Sequence, residues 1–374
     1  MYKRQVHLIH DAGRGPTLEI LLTRFRTLQS SAQLVALSAT VANAAELARW
    51  LGARLVTSEW RPVPLKEGVL YGSAITYADR TQRPVPGRSD EVERLVDDGL
   101  RDGGQCLVFV GTRRSAEATA VKLARVVAPL LTDEQRAALD EAAAPLMSDV
   151  RSPVREKLGA ALRQGAAFHH AGLANAERTL VERLFRERML PALTATPTLA
   201  AGINLPSRRV VVRDVYRYDD TIGTRGPIPV LEYKQMAGRA GRPRYDTSGE
   251  AITIAKTADE REELLFHYLM GKPEEVTSKL AAEPALRVHA LASIAMGVVT
   301  TEQGLHEFFG RTLMAQQVDP HVVERALWRV LRFLEKEGFI TSERGLRATR
   351  FGARTSALYL DPASAVVLRD AGSR

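Results

Sequence analysis

The sequence predicts a mixed α/β protein with parallel sheets, followed by a smaller helical region. Short apolar runs of buried-strand type alternate with segments of helical periodicity. The strands are separated by roughly 15 to 60 residues, which suits the crossover connections of a parallel sheet. After Pro284 the pattern changes, and three helical segments precede two short strands around Gly345. Three helices and a hairpin form a winged helix, a common nucleic-acid-binding fold.

The predicted elements follow the chain in a regular order. Apolar runs predict strands at 34–37, 55–56, 106–110, 166–169, 192–195, 210–212 and 251–254. Helical spacing and capping residues predict helices at 17–31, 43–51, 115–127, 132–146, 153–163 and 176–188. The C-terminal region is predicted to hold helices at 286–296, 302–309 and 320–337 and hairpin strands at 339–341 and 346–349. Pairs of prolines indicate a linker at 61–64 and a loose loop at 83–90.

Length and composition limit the possible functions. The 374 residues suggest two or three domains, at roughly 150 residues per domain. Lys and Arg (52) exceed Asp and Glu (44), and the net charge of +8 favours an anionic partner, most commonly nucleic acid. A hydrophobic fraction of 45% excludes a mainly disordered chain. The single cysteine, Cys106, excludes an intrachain disulfide and a multi-cysteine zinc site.

No stretch of the sequence has the length and apolarity of a membrane helix. The longest uncharged stretch, 189–207, contains three prolines, whereas a bilayer span needs about 20 mostly apolar residues with few such breaks. No apolar signal core follows the charged N-terminus. We therefore expect an intracellular protein, with the cytoplasm as its predicted location.

The most informative string is QMAGRAGR at 235–242. Its glycines allow the backbone to approach a ligand closely, and Arg239 and Arg242 stand three residues apart at a predicted helix start. The arginine fork matches phosphate oxygens and can neutralise charge on a transferring phosphoryl group. The alternative is a glycine-tolerant loop whose arginines are only solvated.

Four further strings lie at the ends of strands. TATPTLAAGINLP at 194–206 clusters hydroxyls and backbone amides before a glycine, which can hold a phosphate or form an ordinary loop with threonine caps. GTRR at 111–114 follows a strand, and SAT at 38–40 could equally be a helix cap. In FHHAG at 168–172 the adjacent histidines point to opposite faces of a strand, so no metal site is predicted.

Taken in order, the five strings resemble motifs III, IV, IVa, V and VI of superfamily two helicases. The resemblance is to the Ski-like branch and, within it, to the archaeal DNA-repair helicases. The same branch is matched by RGPTLE at 14–19, WRPVPL at 60–65, the segment 165–173 and LYLDP at 358–362. The resemblance therefore covers essentially the whole chain.

This resemblance implies two RecA-like lobes with ATP between them and single-stranded nucleic acid across both. Residues 1–59 would be the C-terminal part of lobe one, 60–283 a complete lobe two, and 284–374 a winged-helix domain. The implied function is that of the motor and winged-helix part of an ATP-dependent 3′–5′ DNA helicase in DNA repair and replication restart. Single-stranded or forked DNA would be its partner.

The resemblance also implies roles for individual residues. The implied catalytic residues are Gln235, Arg239 and Arg242, the two arginines sensing the γ-phosphate and Arg242 being the favoured arginine finger. The implied nucleotide neighbours are Gly202, Asn204 and Gly238. The implied nucleic-acid contacts are Thr112, Arg113, Thr196, Thr198 and Arg329. The residues implied to couple nucleotide binding to nucleic-acid binding are Ser38, Ala39 and Thr40. A strand-separating hairpin would occupy about 211–233, with its tip at 219–226.

Two parts of the family's ATP site are absent from this sequence. The phosphate-cradling pattern GxxxxGK[ST] does not occur, since the one Gly-Lys pair, Gly271-Lys272, is followed by proline. The family has Asp-Glu before Val-His to hold Mg²⁺ and position the attacking water, and this chain has Arg4 and Gln5 there. The resemblance thus implies ATP and Mg²⁺ as cofactors, while the P-loop and the primary Mg²⁺ ligands are missing from the chain.

These departures leave several hypotheses open. We expect the chain to begin inside lobe one, to end before the family's helical ratchet domain, and to be inactive as an enzyme when isolated. A separate chain that carries the P-loop half is then a candidate partner. The alternatives are an ATP-independent nucleic-acid-binding module and part of a related RNA helicase.

Overall fold

The computed structural model describes residues 2–28, 32–38, 41–58, 60–87, 89–147, 152–199, 205–219, 224–243 and 245–372. Its contacts divide the chain into two compact units. One unit combines Met1–Thr57 with Glu275–Arg374, and the other is Ser58–Glu274. Each unit has its own buried apolar cluster. Within the described ranges, no helix combines the length and apolarity needed to cross a membrane.

Helices and strands alternate through most of the chain. The strands are β1 Tyr2–Arg4, β2 Val35–Leu37, β3 Leu65–Tyr71, β4 Ala74–Tyr77, β5 Gln82–Pro84, β6 Cys106–Phe109, β7 Ala166–His169, β8 Ala192–Ala195, β9 Arg209–Val212, β10 Tyr216–Asp219, β11 Thr224–Pro227, β12 Gly249–Ile254, β13 Ile340–Thr341 and β14 Arg347–Ala348. The helices are α1 Gly15–Leu28, α2 Ala44–Leu51, α3 Glu91–Arg101, α4 Arg113–Val127, α5 Asp133–Met147, α6 Pro153–Arg163, α7 Asn175–Arg186, α8 Val230–Ala237, α9 Ala258–Leu264, α10 Glu283–Ala295, α11 Glu302–Phe309, α12 Leu313–Gln317, α13 Pro320–Lys336, α14 Arg350–Ala357 and α15 Pro362–Gly372.

The Ser58–Glu274 unit is built on an eight-stranded sheet in the order β5-β4-β3-β12-β9-β6-β8-β7. The six strands from β3 to β7 in that order pair in parallel, and β4 and β5 extend the sheet as an antiparallel edge. Strands β6 to β9 are buried along their whole length, as expected where helices cover both faces of a parallel sheet. The predicted α/β class, with a mostly parallel RecA-like sheet, is confirmed.

The edge of the sheet differs from the sequence prediction. Strand β3 contains Lys66, Glu67 and Gly68, which interrupt the apolar pattern, so this strand was not predicted. The charge of Glu67 is matched by Lys234, whose Nζ lies 3.0 Å from the carboxylate. The predicted strand at 55–56 is wrong, because neither residue belongs to a strand in the described structure and the Val56 side chain is 80% exposed.

A buried ion network joins α3 to the centre of this sheet. The side chain of Arg209 on β9 is 2% exposed, and its guanidinium donates to Asp98 of α3 and to Glu250 of β12. Arg83 on β5 donates to both oxygens of Asp98, and the Tyr77 hydroxyl donates to Glu250 at 2.7 Å. These bonds hold α3 against the strands. Removing one partner from such a network would leave a buried charge uncompensated and destabilise the fold.

The other unit combines a small two-stranded parallel sheet with the C-terminal helices. Strand β1 pairs with β2, and α1 and α2 flank them in sequence. Helices α10 to α13 and the antiparallel hairpin β13–β14 form the predicted winged helix. Two further helices, α14 and α15, follow the hairpin and were not predicted from the sequence.

Glu19 of α1 anchors the RGPTLE segment inside this unit. Its side chain is fully buried, and its carboxylate accepts hydrogen bonds from the Ser278 hydroxyl at 2.6 Å and from the Met314 amide at 2.7 Å. Burial raises the pKa of Glu19, against the opposing effect of these two bonds. Trp50 of α2 adds a bond from Nε1 to the Arg311 carbonyl at 3.0 Å. The first 57 residues thus pack within one unit with the winged-helix segment.

Candidate functional site

Three of the five motif strings meet at the carboxyl edge of the large sheet. Phe109 at the end of β6 and His169 at the end of β7 both lie in register with Ala195 at the end of β8. The strings at 111–114, 168–172 and 194–199 therefore end or follow adjacent parallel strands. Ligands of open parallel sheets bind at this edge. The structure thus brings Thr112, Arg113, Thr196 and Thr198 to the same side of the unit.

The N-terminus of α4 lies at the centre of this edge. Thr112 caps the helix, because its Oγ1 accepts a hydrogen bond from the Ser115 amide at 3.1 Å. Arg113 is exposed and makes no ion pair with any described residue. On the neighbouring strand end, the hydroxyls of Thr196 and Thr198 lie 3.0 Å apart. A helix N-terminus, a guanidinium and two hydroxyls together form a surface that can accept a phosphate.

Asp214 holds this edge in shape and was missed by the sequence reasoning. Its Oδ2 accepts from the Gly111 amide at 2.7 Å, and both of its oxygens accept from Arg213. Burial alone would raise the pKa of Asp214, but the bonds from Arg213 and Gly111 more than offset it and the net shift is downward. The carboxylate therefore stays ionised and fixes the turn from β6 into α4. Its only sequence signal is a charged pair directly after a buried strand.

The adjacent histidines of the FHHAG string diverge, as predicted. His169 Nε2 lies 3.0 Å from Glu182 on α7, while His170 stacks on Phe168 with ring centroids 5.4 Å apart. His170 Nδ1 accepts from the Gly172 amide at 3.1 Å. Burial lowers the pKa of both histidines, against the opposing effect of a nearby glutamate in each case. Within the part of the chain that the structure describes, no group of three or more His, Cys, Asp or Glu is placed to hold a metal.

The QMAGRAGR string lies at the opposite, amino edge of the sheet. It occupies the end of α8 and the turn after it, so the predicted helix start is wrong and the helix ends there instead. The Ser207 amide donates to the Arg239 carbonyl at 2.9 Å, and the Gly241 amide donates to the Ser207 carbonyl at 2.7 Å. Gly241 has a φ of +92°, and a Cβ at this position would lie 2.7 Å from a Val63 methyl group. Glycine is therefore required at this turn.

Arg242 is clamped in this turn. Its guanidinium donates to both oxygens of Asp246, at 2.9 and 2.7 Å, and to Gln105 Oε1 at 3.0 Å. The two side chains of the Arg242–Asp246 pair are 7% and 4% exposed. Burial would raise the pKa of Asp246, but the bonds from Arg242 outweigh it and the pKa is lowered. For Arg242 to contact a phosphate, some of these bonds would have to be exchanged.

Arg239 differs from Arg242 in its surroundings. It is half-buried, and burial lowers the pKa of its guanidinium. A phosphate beside it would raise that pKa, because an opposite charge stabilises the charged form of a base. Gly238 is exposed at the C-cap of α8, and Gln235 is half-buried on the last turn of the helix.

The remaining predicted site residues are not all placed by the structure. Gly202, Asn204, Ala39 and Thr40 lie outside the described residues. In the other unit, Ser38 Oγ lies 3.2 Å from Nδ1 of the buried His7, whose pKa burial lowers to about 4. His7 is therefore neutral near pH 7, and its Nδ1 is the atom that faces the SAT string.

Two more predicted features are the residue Arg329 and a hairpin. Arg329 is exposed on α13, one residue from the exposed Trp328, over whose ring the Arg332 guanidinium lies at 5.6 Å. Strands β10 and β11 form an antiparallel hairpin at 216–227, within the range predicted for a hairpin. Its turn, 220–223, lies outside the described residues.

Comparison with known proteins identifies two matching family models and several similar proteins. The family model described as "Helicase conserved C-terminal domain" matches residues 88–244, and a helix-turn-helix domain model matches residues 249–341. The chain is 46% identical over 370 residues to the ATP-dependent DNA helicase Hel308 of Methanocella arvoryzae, covering 98% of the chain and 49% of that relative. It is 42% identical over 369 residues to the Hel308 of Pyrococcus abyssi, covering 98% and 50%. The chain thus spans about half the length of the curated relatives it matches.

The Arg242–Asp246 pair leads to a prediction about stability. Asp246→Asn should lower the free energy of unfolding by about 3 kcal/mol at pH 7, because it leaves a buried guanidinium without its counter-charge. The folded-state pKa of Asp246 is depressed, so the stabilisation is present above about pH 4 and is lost as the pH falls through that pKa. Urea unfolding of the wild type and the variant at pH 7 and pH 3 measures both effects.

The control for this experiment is Asp97→Asn. Asp97 makes an exposed ion pair with Arg101 at 2.9 Å, and its loss should change the free energy of unfolding by less than about 0.5 kcal/mol. Equal stability of wild type and Asp246→Asn at pH 7 would show that the clamp contributes nothing.

Proposed function

We propose that this chain, which is a Hel308-like member of helicase superfamily two, supplies the second motor lobe and the winged helix of an ATP-dependent 3′–5′ DNA helicase. One observation carries the proposal: side chains suited to phosphate binding occupy opposite edges of one parallel sheet. The carboxyl edge carries Arg113 and the threonines, and the amino edge carries Arg239 and Arg242. The sheet can thereby keep a nucleic-acid site apart from a nucleotide site while linking them through its strands.

At the carboxyl edge, the proposed role is to hold the backbone of a single DNA strand. Thr112, Arg113, Thr196 and Thr198 offer charge and hydroxyls and are suited to phosphates rather than to base edges. Such contacts hold a strand without regard to sequence, as a translocating motor requires. The relatives are named DNA helicases, which favours DNA over RNA as the ligand.

At the amino edge, the proposed role is to neutralise charge on a nucleotide. Arg239 and Arg242 fit this role, since they lie on one turn and the desolvated Arg239 would gain from a neighbouring anion. Gly238, exposed beside them, lets the turn approach the ligand closely. ATP, when bound with Mg²⁺, would supply the free energy for movement through cleavage of its terminal phosphoanhydride bond. In this proposal Gln235 and the two arginines orient the phosphates, and Asp246 fixes the orientation of the Arg242 guanidinium.

Other residues are proposed to couple the two sites, to separate DNA strands, or to contact the DNA or the nucleotide. Ser38, Ala39 and Thr40 would couple nucleotide state to DNA, with neutral His7 as the neighbour of Ser38. The hairpin β10–β11 would part the two strands of a fork. Arg329 on the exposed face of α13 would contact the DNA. Gly202 and Asn204 are proposed to lie near the nucleotide.

A second candidate function is nucleic-acid binding without ATP turnover. It is favoured by the absence of GxxxxGK[ST] from the sequence and by Arg4 and Gln5 in place of the expected acidic pair. In the first proposal these missing parts lie outside the given sequence, whereas in the second they are not needed. The two tests below separate these alternatives.

The first test is DNA binding by the full chain. We expect micromolar or weaker binding of single-stranded oligothymidylate at low salt, falling steeply as salt rises. Arg113→Gln should weaken binding and reduce the slope of log K against log salt by about 0.7, the value for one single-strand phosphate that is no longer neutralised. Fluorescence anisotropy across a salt series measures both quantities.

The matched control for this test is Arg183→Gln. Arg183 is exposed on α7 and already paired with Glu187 at 3.6 Å, so its loss changes the net charge equally without touching the proposed site. If Arg113→Gln and Arg183→Gln gave the same slope as the wild type, the carboxyl-edge site would be wrong.

The second test is ATP hydrolysis. The chain alone should show no turnover above background, with or without DNA, because its sequence contains no P-loop lysine. Adding a separate fragment that carries a P-loop and the Asp-Glu pair should produce DNA-stimulated turnover. In that mixture Arg242→Ala should reduce the rate by about 10³-fold or more, the usual contribution of an arginine finger.

Three outcomes of the hydrolysis test decide between the candidates. DNA-stimulated turnover by the chain alone would contradict the assignment of Arg4 and Gln5 to lost catalytic positions. DNA binding with no turnover in the mixture would favour the binding module. Turnover that survives Arg242→Ala would exclude Arg242 as the finger and shift that role to Arg239.

A further inference from the structure

A cavity of about 420 Å³ opens in the unit that contains the winged helix. It lies between α1, α2 and the turn that leads from α11 into α12. Three arginines line it, one from each of these elements: Arg26, Arg49 and Arg311. Thr23, Thr27 and Gln316 complete the polar lining, and no acidic residue takes part.

The three arginines make no ion pair with any residue that the structure describes. The Arg26 guanidinium donates one hydrogen bond to the Trp50 carbonyl, which leaves most of its N–H groups directed elsewhere. Arg287 of the same unit shows the contrast, since it contacts both Asp361 and Glu283. Arginine is rarely gathered around one cavity without a counter-charge, because like charges repel at short range.

The wall of the cavity is rigid where the arginines are attached. Trp50 is 1% exposed and is fixed by the bond from its Nε1 to the Arg311 carbonyl. The hydroxyls of Thr23 and Thr27 donate to helix carbonyls at 2.9 and 3.0 Å, so their oxygens point to fixed positions. A cavity whose guanidinium groups project from a packed frame can hold an anion at a defined position.

We propose that this cavity binds phosphate groups. Guanidinium forks match phosphate oxygens in two-point contacts, and three of them around one opening can neutralise one or two phosphates. Phosphates in the cell are carried by nucleic-acid backbones and by free phosphate or nucleotides, and both sources present the same chemistry. The net charge of +8 and the exposed arginines of α13 favour the nucleic-acid backbone as the source. The site would then hold DNA at a point on the winged-helix unit distinct from α13.

The experiment compares three proteins, each as the full chain. The site variant is Arg26→Gln/Arg49→Gln/Arg311→Gln. The control variant is Arg101→Gln/Arg163→Gln/Arg183→Gln, which removes the same charge from exposed helix arginines of the other unit that are already paired with carboxylates. Because Arg26 also bonds to Trp50, a second site variant, Arg49→Gln/Arg311→Gln, removes no hydrogen bond within the described structure and guards against misfolding.

Two measurements distinguish the source of the phosphate. The first is the midpoint of thermal unfolding with and without inorganic pyrophosphate. The second is anisotropy binding of oligothymidylate across a salt series. We expect pyrophosphate to raise the midpoint of the wild type and the control but not of either site variant. We also expect both site variants to reduce the salt slope by about 0.7 for each phosphate that is no longer neutralised, relative to the control.

The outcomes distinguish a site for the nucleic-acid backbone, a site for free phosphate and the absence of a phosphate site. Loss of both responses supports a site for the nucleic-acid backbone, and loss of the pyrophosphate response alone supports a site for free phosphate. If neither site variant differs from the control in either measurement, the cavity binds no phosphate and the proposal is overturned. The carboxyl-edge test with Arg113→Gln is independent of this result, because Arg113 lies in the other unit.

Discussion

The parallel pairing of β9, β6, β8 and β7 is the constraint on which the candidate chemistry of this chain depends. Because these strands run in one direction and in register, every connection leaves from one edge and returns to the other. The phosphate-binding candidates Arg113 and Thr196 therefore share the carboxyl edge, and Arg239 and Arg242 share the amino edge. A four-residue strand separates the edges by roughly 13 Å, so the two groups cannot serve one phosphate.

Two carboxylates, the half-buried Asp214 and the buried side chain of Asp246, turn this backbone arrangement into defined sites. Asp214 ties the Gly111 turn to the end of β9, and Asp246 ties Arg242 to the turn after α8. Both acids have lowered pKa values despite burial, so both remain ionised near neutral pH. Buried ion pairs add little net stability, since desolvation offsets much of their attraction. Their contribution here is to hold backbone amides and a guanidinium in fixed orientations.

The sequence predicted the apolar core well and the polar links poorly. The strands at 166–169 and 192–195 and the helix at 153–163 form as predicted, because local apolar patterns determine them. Strand β3 was not predicted, because Glu67 and Gly68 interrupt its apolar pattern. Glu67 pairs with Lys234, and Gly68 leaves room for the Ile75 side chain, and neither partner is adjacent in sequence. The anchoring role of Glu19 likewise depends on the Met314 amide, 295 residues away. Such pairs leave no local pattern in a single sequence.

The central claim is that nucleic acid occupies the carboxyl edge of the large sheet and leaves the amino edge untouched. Hydrogen exchange of the full chain with and without oligothymidylate tests it most directly. The account predicts slower exchange of backbone amides at 111–115 and 196–199 when DNA is bound, with no change at 238–243. Slower exchange confined to 238–243 would contradict it, because the strand would then lie on the side assigned to the nucleotide.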